Sequence, residues 1–348
     1  MIDIGVVGAG HWGPNLIRSF QDLPGSRVVW VIDHDRRRLD EVQGRYPGVR
    51  VGDDPVAALP DVDALVVATP ATSHFALAHL ALSAGKDVLI EKPMTMGIGD
   101  AEELCRLARS SGNVLMVSHL FLYARAVQWV RDYLWAGQLG SVYHLTMVRN
   151  NLGPVRDDAN AAWDLAAHDI SIANYWLKAV PIAVSAVGGK WINPCVEDAV
   201  FVTMRYPDDV LVNLHASWLS PRKVRDITVV GSQRMLTLDD MNLTEPVRVY
   251  DKRVLDGGER SRGVVDTFAS FRASIREGDI SIPRITLEEP LKTECMHFLE
   301  CVVKRTEPIT SGRQGTSVVR VLEAIDRSLQ DEGREAVLEV ERVDSPAG

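Results

Sequence analysis

The first third of the chain alternates short apolar runs with segments of helical periodicity. The apolar runs are IDIGVVG, RVVWVID, VDALVVA, DVLIE and VLMVS, and amphipathic segments such as SHFALAHLALSAG and GDAEELCRLARSSG lie between them. This alternation is typical of βαβ units, in which helices join buried parallel strands. We therefore predict a doubly wound α/β domain with a parallel sheet over residues 1–119.

The pattern changes after residue 120. One helical segment, FLYARAVQWVRDYLWAG, precedes runs of period two such as SVYHLTMVRN, AVFVTMRY, VLVNLHASW and RDITVVG. Alternation places one face of a strand on a core and leaves the other face accessible, as in antiparallel sheets. With two late helical segments, EEPLKTECMHFLECVVKR and GTSVVRVLEAIDRSLQ, residues 120–340 are predicted to form an α+β domain with a large, mainly antiparallel, open-faced sheet.

The net charge and the composition exclude several classes of binding partner. The chain of 348 residues has a net charge of −9, so it has no basic excess with which to displace counterions from nucleic acid or an anionic membrane. No apolar run reaches the ~18 residues that span a bilayer. The first strand begins at Ile2 and leaves no room for a signal peptide. We expect a cytoplasmic protein with a small-molecule substrate.

Four cysteines are spread widely along the chain, and they form no CxxC pair. They are Cys105, Cys195, Cys295 and Cys301. Their apolar or helical surroundings predict buried thiols, and the sequence indicates no metal site.

A glycine-rich turn joins the first predicted strand to the first predicted helix. Residues 4–13 are IGVVGAGHWG, in which Gly8, Gly10 and Gly13 have the spacing GxGxxG. These glycines permit a tight turn, close approach of backbone to a pyrophosphate, and close packing of helix on strand, while the helix N-terminus offers N–H groups to an anion. The pattern predicts a Rossmann dinucleotide-binding domain.

An acid ends the second predicted strand. Asp33 stands twenty positions after Gly13, where a carboxylate accepts hydrogen bonds from the adenosine ribose and repels a 2′-phosphate. NAD is therefore the predicted cofactor. NADP stays the second choice, because Arg36 or Arg37 of the following arginine run could turn over the ribose.

Two further strand ends carry polar residues that we expect beside a bound dinucleotide. Thr69 and Pro70 end the VDALVVA strand, and His74 opens the next helix. His74 is a candidate cofactor contact, with a capping or packing role as the alternative.

The DVLIE strand ends in Glu91, Lys92 and Pro93. A lysine beside an acid at a strand end is a candidate catalytic group, or else a member of a structural ion pair. The proline restricts Lys92 to an extended conformation and is a candidate for a cis peptide bond.

A later helix opens with WDLAAHD and carries an acid and a histidine on one face. Asp164 and His168 are four residues apart, so the carboxylate could orient the imidazole, or both could contact one sugar diol. Arg149, Asn150 and Asn151 end a strand and are candidate substrate contacts, with a solvated strand end as the alternative.

Together these segments resemble the glucose-fructose oxidoreductase, inositol dehydrogenase and rhizopine-catabolism (Gfo/Idh/MocA) family. The resemblance rests on GHWGPN, ATPATSHFALAHLALSAGKDVLIEKP and the DxxxH helix, and it extends to SWLSPRKVRDITVVGS and HFLECVVKRTEPITSG. The last two are similar to bacterial members associated with nucleotide-sugar or amino-sugar metabolism. Ala166 and Ser171 stand where the common DxGxHxxD pattern has Gly and Asp, which leaves open the sugar and the hydroxyl presented.

The resemblance implies an NAD(P)-dependent oxidoreductase that moves a hydride between nicotinamide and a secondary alcohol or ketone. The implied substrate is a nucleotide-linked or amino sugar, or a cyclitol. The implied cofactor-binding residues are Gly8, Gly10, His11, Trp12, Gly13, Asp33, Thr69, Pro70, His74, Glu91 and Lys92. The implied substrate-binding residues are Lys92, Arg149, Asn150, Asn151, Trp163, Asp164 and His168.

For catalysis we assign His168 as the proton acceptor, Asp164 as its orienting group and Lys92 as the cation that stabilises the alkoxide. The opposite assignment, with Lys92 as base and His168 as orienting group, stays open.

Two other functions fit part of the pattern. A glycoside hydrolase that oxidises its sugar transiently would use NAD without net reduction. A cofactor-bound sensor would lack the catalytic residues, whereas Lys92 and His168 are both present. We also expect a homodimer or homotetramer formed through the second sheet, on which Val200, Val202, Val210 and Val212 are available to one face or the other.

Overall fold

The computed structural model describes residues 1–254 and 275–338, and the chain divides into two compact units. The first unit consists of Met1–Ala124 and Glu288–Glu323, and the second of Arg125–Leu287 and Ala324–Gly348. The sequence-based division assigns everything from residue 120 to residue 340, the last two of which lie outside the described residues, to the second domain. By contacts, Glu288–Glu323 belong to the first unit, because Phe298 packs edge-on against Phe20 with ring centroids 6.2 Å apart.

The first unit contains a six-stranded sheet in which every neighbouring pair is parallel. Its strands are β1 (Ile2–Val7), β2 (Ser26–Ile32), β3 (Arg50–Gly52), β4 (Ala64–Val67), β5 (Asp87–Glu91) and β6 (Leu115–Ser118). They lie in the order β3-β2-β1-β4-β5-β6. The direction of winding reverses between β1 and β4, and ligands of doubly wound sheets bind at such a switch point, beyond the carboxyl ends of the strands. The predicted doubly wound parallel sheet is confirmed.

Helices surround the strands in the order that periodicity predicts. They are α1 (Gly13–Asp22), α2 (Arg36–Arg45), α3 (Pro55–Ala58), α4 (His74–Ser83), α5 (Ile98–Ser111), α6 (Arg125–Trp135), α7 (Ala167–Leu177), α8 (Pro290–Lys304) and α9 (Gly312–Gln330). Short 3₁₀ turns cover Leu59–Asp61, Ala71–Ser73, Leu120–Tyr123 and Pro207–Asp209. Local chemistry sets several ends: Asp35 caps α2 through the Arg37 N–H at 3.0 Å, and α5 stops at Gly112, which has a φ of 71°.

The second unit contains a nine-stranded mixed sheet. Its strands are β7 (Val142–Leu152), β8 (Ala183–Gly189), β9 (Ala199–Arg205), β10 (Leu211–Ser217), β11 (Leu219–Gly231), β12 (Met235–Asp239), β13 (Val247–Val254), β14 (Ile275–Ser281) and β15 (Ala336–Val337). Their order is β14-β13-β12-β11-β7-β10-β9-β8-β15. The pairs are antiparallel except β7 with β10, which run parallel. The predicted mainly antiparallel sheet is confirmed.

One face of this sheet is buried and the other carries exposed apolar side chains. Leu145 and Met147 on β7 are fully buried, whereas Phe201 and Leu211 on the other face are about half exposed, at 48% and 46%. The valines predicted to be available for association are all buried, which corrects that expectation: Val200, Val202, Val210 and Val212. The period of two places odd and even positions of a strand on opposite faces, and these valines fall on the core side or at its margin.

The cysteines differ in exposure. Cys295 and Cys301 are buried and Cys105 is half-buried, but Cys195 is exposed in the loop between β8 and β9, where its N–H donates to Asn193 Oδ1 at 2.8 Å. The prediction of a buried thiol is therefore wrong for Cys195. Across residues 1–254 and 275–338, three or more His, Cys, Asp or Glu side chains nowhere gather as a metal would require. No helix within those ranges has the length and apolarity to cross a membrane.

Candidate functional site

The turn after β1 is too crowded for side chains. Gly8 has a φ of +99°, and a Cβ on it would stand 2.5 Å from the carbonyl oxygen of Ala68. A Cβ on Gly13 would stand 2.0 Å from the carbonyl oxygen of Gly8. The first contact closes the turn onto the end of β4, and the second seats α1 directly on the turn. Glycine is required at both positions.

Gly10, the middle glycine of the motif, leaves the front of the turn open. A Cβ on Gly10 would be 3.4 Å from Arg38 Nη1, so a side chain there would fill the space between the turn and the guanidinium. Helix α1 begins at Gly13 with Pro14 in its first turn, and Trp12 supplies no side-chain cap. The remaining N–H groups and the positive end of the helix dipole suit an anion such as a diphosphate.

Asp33 lies beside this turn. Its Oδ2 accepts a hydrogen bond from the Ala9 N–H at 2.7 Å, and its Oδ1 accepts one from the Asp35 N–H at 2.8 Å. The carboxylate thus ties the end of β2 to the glycine turn while keeping lone pairs for a ligand hydroxyl.

The arginine nearest to Asp33 is Arg38, with Nη1 3.5 Å from Asp33 Oδ2. Arg36 pairs instead with Asp40, and Arg37 with Asp35. Of the run Arg36–Arg38, the sequence favoured Arg36 or Arg37 for a contact over the ribose, whereas the structure brings Arg38 nearest to Asp33. Helical spacing indicates the position of Arg38, since Arg38 lies one turn before Val42, a residue of the buried face of α2.

His74 braces two strand ends. It is buried, with Nε2 2.8 Å from the Thr69 carbonyl oxygen after β4 and Nδ1 2.8 Å from the Pro93 carbonyl oxygen after β5. Burial lowers the pKa of His74, and the nearby Lys92 acts in the same direction, against the two carbonyl contacts. These contacts are those of a packing residue, the alternative that the sequence left open beside a cofactor contact.

Glu91 ends β5, Lys92 follows it directly, and the Lys92–Pro93 peptide bond is cis. Glu91 Oε2 accepts a hydrogen bond from the Lys92 N–H at 3.2 Å. Burial raises the pKa of Glu91 to about 7, although the charge of Lys92 and hydrogen bonds from Ser118 and Trp12 oppose the shift.

A second buried acid was not found from the sequence. Glu294 on α8 is fully buried, and its Oε2 is 3.0 Å from Ser118 Oγ at the end of β6. Burial, and then the charge of Glu91, raise the pKa of Glu294 well above its usual range. The signal is its helical position: Leu291, Glu294 and Phe298 lie on one buried stripe of α8.

In the second unit, the segment that precedes α7 is a π-helical turn, Ala162–Ala166. Single π-turns recur at functional sites. Trp163 Nε1 donates to Asp326 Oδ2 at 2.7 Å, and Trp218 Nε1 donates to Asp164 Oδ2 at 3.0 Å. Half-buried His168 follows in the first turn of α7, so the predicted helix is present but begins with a wider turn.

Ser171 has a role that differs from that of the acid in the common pattern. Its hydroxyl donates to the carbonyl oxygen of His168 at 2.7 Å. Asp164 also lies 3.5 Å from Arg156 Nη1. The DxxxH pair is thus held by an indole, a guanidinium and a backbone bond.

The three candidate contacts at the end of β7 are divided between the two faces of the sheet. Arg149 forms a buried ion pair with Asp169 of α7, with Nη2 2.7 Å from Oδ1. Asn150 lies on the opposite face, where its Nδ2 is 3.2 Å from His215 Nδ1. Consecutive strand residues alternate between faces, so Arg149 and Asn151 share the covered face and Asn150 does not.

The fold and the site together define the class of protein. A parallel sheet in this order, a glycine turn that only glycine can form, an uncapped helix N-terminus and an acid at the end of β2 are the features of a dinucleotide-dependent oxidoreductase. The profile described as the Gfo/Idh/MocA oxidoreductase family, NAD-binding Rossmann fold, matches residues 2–119, and the profile of the family's C-terminal domain matches residues 127–237. The chain belongs to this family, and the predicted resemblance is confirmed.

Named relatives cover most of the chain. UDP-N-acetylglucosamine 3-dehydrogenase of Acidithiobacillus ferrooxidans is 29% identical over 69% of this chain and 74% of its own. A solved structure of that enzyme superposes with a TM-score of 0.80 at 26% identity, covering 94% of this chain and 99% of the other. The NAD⁺-dependent scyllo-inositol 2-dehydrogenase of Bacillus subtilis is 24% identical over 97% of this chain and 96% of its own.

Proposed function

We propose that this protein is an NAD-dependent dehydrogenase or ketoreductase that acts on a secondary alcohol or ketone of a nucleotide-linked sugar. The observation that carries the proposal is the glycine turn, where a Cβ on Gly13 would meet the Gly8 carbonyl at 2.0 Å, beside the carboxylate of Asp33. Packing within the protein does not require the turn to stay open at Gly10. It suits a bound diphosphate flanked by a ribose.

The chain's residues fit the dinucleotide as follows. The N–H groups at the start of α1 would hold the diphosphate, and Asp33 would accept hydrogen bonds from the adenosine ribose. Thr69, Pro70 and Glu91, at the ends of β4 and β5, would line the nicotinamide side, with His11 and Trp12 in the glycine turn beside them. The bound nicotinamide supplies the hydride acceptor or donor.

Proton transfer is assigned to the protein. His168 takes the hydroxyl proton during oxidation and returns it during reduction, because an imidazole ordinarily titrates near neutral pH. Asp164, held by Trp218 Nε1 at 3.0 Å, fixes the local geometry of the helix start. Lys92 stabilises the negative charge that develops on the substrate oxygen.

The substrate class rests on the relatives. A nucleotide sugar is the substrate in the name of the A. ferrooxidans enzyme, which matches this chain over 94% of its length by structure, and a cyclitol is the substrate in the name of the B. subtilis enzyme. We place the nucleotide-linked sugar first and the cyclitol second. Trp163, Asp164 and His168 are the residues proposed to contact it.

The test is a screen of nucleotide sugars, cyclitols and free sugars with NAD⁺, followed at the absorbance band of reduced nicotinamide. Net NADH formation with a UDP-linked hexosamine, and none with free sugars, is the expected result. Release of the leaving group without net NADH would instead identify a hydrolase that returns its cofactor. Cofactor binding with no turnover on any of these classes would identify a sensor.

We further propose that two copies associate through the open face of the second sheet. Phe201 stacks on His215 there with ring centroids 4.3 Å apart, and Val187, Phe201 and Leu211 are each exposed by about half. Exposed apolar side chains on one face of a sheet are typical of an association surface.

A further inference from the structure

The ends of β5 and β6 hold a buried carboxyl pair around one hydroxyl. Glu91 and Ser118 are directly paired in the β5–β6 register, and Ser118 acts on the Glu91 carboxyl as a hydrogen-bond donor that lowers its pKa. From the other side, Glu294 of α8 brings its Oε2 to 3.0 Å from the same hydroxyl. Ser118 therefore lies between two acids that are 203 positions apart in the chain.

The surroundings cannot support two carboxylates. Glu294 is 0% exposed, and in the described part of the chain its Oε1 has no hydrogen-bond partner. Charged groups near the pair are Lys92 after β5, His119 after β6, and the Arg18–Glu289 ion pair near Cys295. Burial and then Lys92 lower the pKa of His119 to about 3, so this imidazole is neutral. Of these groups in the described part of the chain, Lys92 can balance one carboxylate, and a second buried carboxyl must keep its proton.

The proton belongs on Glu294. Glu91 receives the Lys92 N–H and the charge of Lys92, both of which favour its anion. Glu294 has only a hydroxyl at 3.0 Å. A protonated carboxyl at this position can donate its O–H to Ser118 Oγ, which frees the hydroxyl proton of Ser118 for Glu91.

We propose that Glu294 is a positioning residue, a carboxyl group kept protonated in the core that acts through Ser118 to hold the Glu91 carboxylate in place beside Lys92. Its consequence for turnover rests on the proposed function, whereas its protonation does not. The two parts therefore have separate tests.

Protonation is tested by thermal unfolding of the full chain without added cofactor between pH 5 and 8. An acid whose pKa is raised by folding binds more protons in the folded than in the unfolded state, so its contribution to stability declines as pH rises above the ordinary pKa of glutamate. Glu294→Gln has no such proton. The Tm of this variant, relative to the parent, should rise steadily across the range.

The control is Glu41→Gln, on the exposed face of α2. Its Tm should differ from that of the parent by the same amount at every pH. A Tm difference for Glu294→Gln that is equally independent of pH would show that Glu294 is ionised in the fold and would overturn the proposal.

Positioning is tested by kinetics on the substrate found by the screen. Glu294→Gln donates to Ser118 as the acid does and should keep kcat within about 3-fold, whereas Glu294→Leu should lose about 10-fold in kcat with the KM for NAD⁺ unchanged. Ser118→Ala combined with Glu294→Leu should lose no more than the larger single loss, since the two act in one chain.

Additive losses would overturn the route through Ser118. If Glu294→Leu does not fold, the comparison of Glu294→Gln with Ser118→Ala still decides, because equal kinetic losses in those two would contradict the donor role. A protein with no turnover on any sugar would refute the proposed function and leave the unfolding result standing.

Discussion

Lys92 directly follows the end of β5, and two neighbouring residues fix the backbone there. Glu91 accepts its backbone N–H, and His74 contacts the Pro93 carbonyl oxygen at 2.8 Å. These contacts fix the backbone position of Lys92. Rigid support of this kind is what a group that stabilises charge only in the transition state requires.

Lys92→Ala should lower turnover by about 10²-fold and leave the Kd for NAD⁺ nearly unchanged, because the lost interaction forms as the substrate oxygen becomes charged. Stopped-flow kinetics and a cofactor titration measure the two effects. Lys304→Ala, at an exposed residue of α8, is the control. Equal losses of affinity and turnover would show that Lys92 is a structural ion-pair partner.

His168→Asn keeps a side chain of similar shape and removes a proton acceptor. Oxidation should fall by about 10²–10⁴-fold. In the parent, the rate should rise with pH as the imidazole loses its proton, and this limb should vanish in the variant. Asp164→Asn should give a milder loss. A parental pH profile in His168→Asn would move the base to Lys92.

Asp33→Asn should weaken the discrimination against NADP⁺. The amide retains an oxygen for the Ala9 N–H, while the negative charge near a 2′-phosphate disappears and Arg38, 3.5 Å away in the parent, loses its ion-pair partner. The ratio of kcat/KM for NAD⁺ over NADP⁺ should fall by about 10-fold. Asp40→Asn, which releases only Arg36, should leave the ratio unchanged. If the unmodified enzyme prefers NADP⁺ over NAD⁺, the assignment of Asp33 is refuted.

At the scale of elements, periodicity predicted where strands and helices lie, and contacts between distant segments decided the rest. The strand β5 was predicted with its bounds, because burial on both faces leaves an unbroken apolar run. The π-turn before α7 was not predictable, since its wider winding depends on Trp163 and Asp164 bonding to residues far along the chain. Glu294 escaped notice because its partner, Ser118, belongs to a strand formed 176 residues earlier.

The period of two along a strand already determines which face some of these side chains occupy. Arg149 and Asn150 are neighbours on one strand, and the period of two already separates their side chains onto opposite faces. The same rule assigns Val200 and Val202 together to one face, and burial shows that it is the core face.

The crowding at the glycine turn predicts how a substitution there affects helix α1. Gly13→Ala would place a Cβ 2.0 Å from a backbone oxygen, so α1 must shift, and we expect a loss of more than ~2 kcal/mol in the free energy of unfolding together with weaker NAD⁺ binding. Gly44→Ala in α2 meets nothing within 4 Å and should gain about 0.4–1 kcal/mol. Denaturant titration measures both. A stable Gly13→Ala would contradict the crowding argument.

At the scale of the whole molecule, the open sheet face is the feature to test. Phe201→Glu places a charge on this face and should convert the proposed dimer to a monomer, as measured by sedimentation, without a change in far-UV circular dichroism. Val303→Glu is the control, because Val303 is exposed at 72% on α8. An unchanged mass for Phe201→Glu would show that copies associate elsewhere or not at all.

The first unit is assembled from two stretches of chain with more than 160 residues between them. A ribosome has therefore synthesised Phe20, Tyr123 and the whole of the sheet β1–β6 well before it adds Phe298, the residue that covers Phe20. Until then an apolar surface of the nascent first unit stays uncovered. This chain should depend on chaperone protection during synthesis more than a Rossmann domain encoded in one continuous segment would.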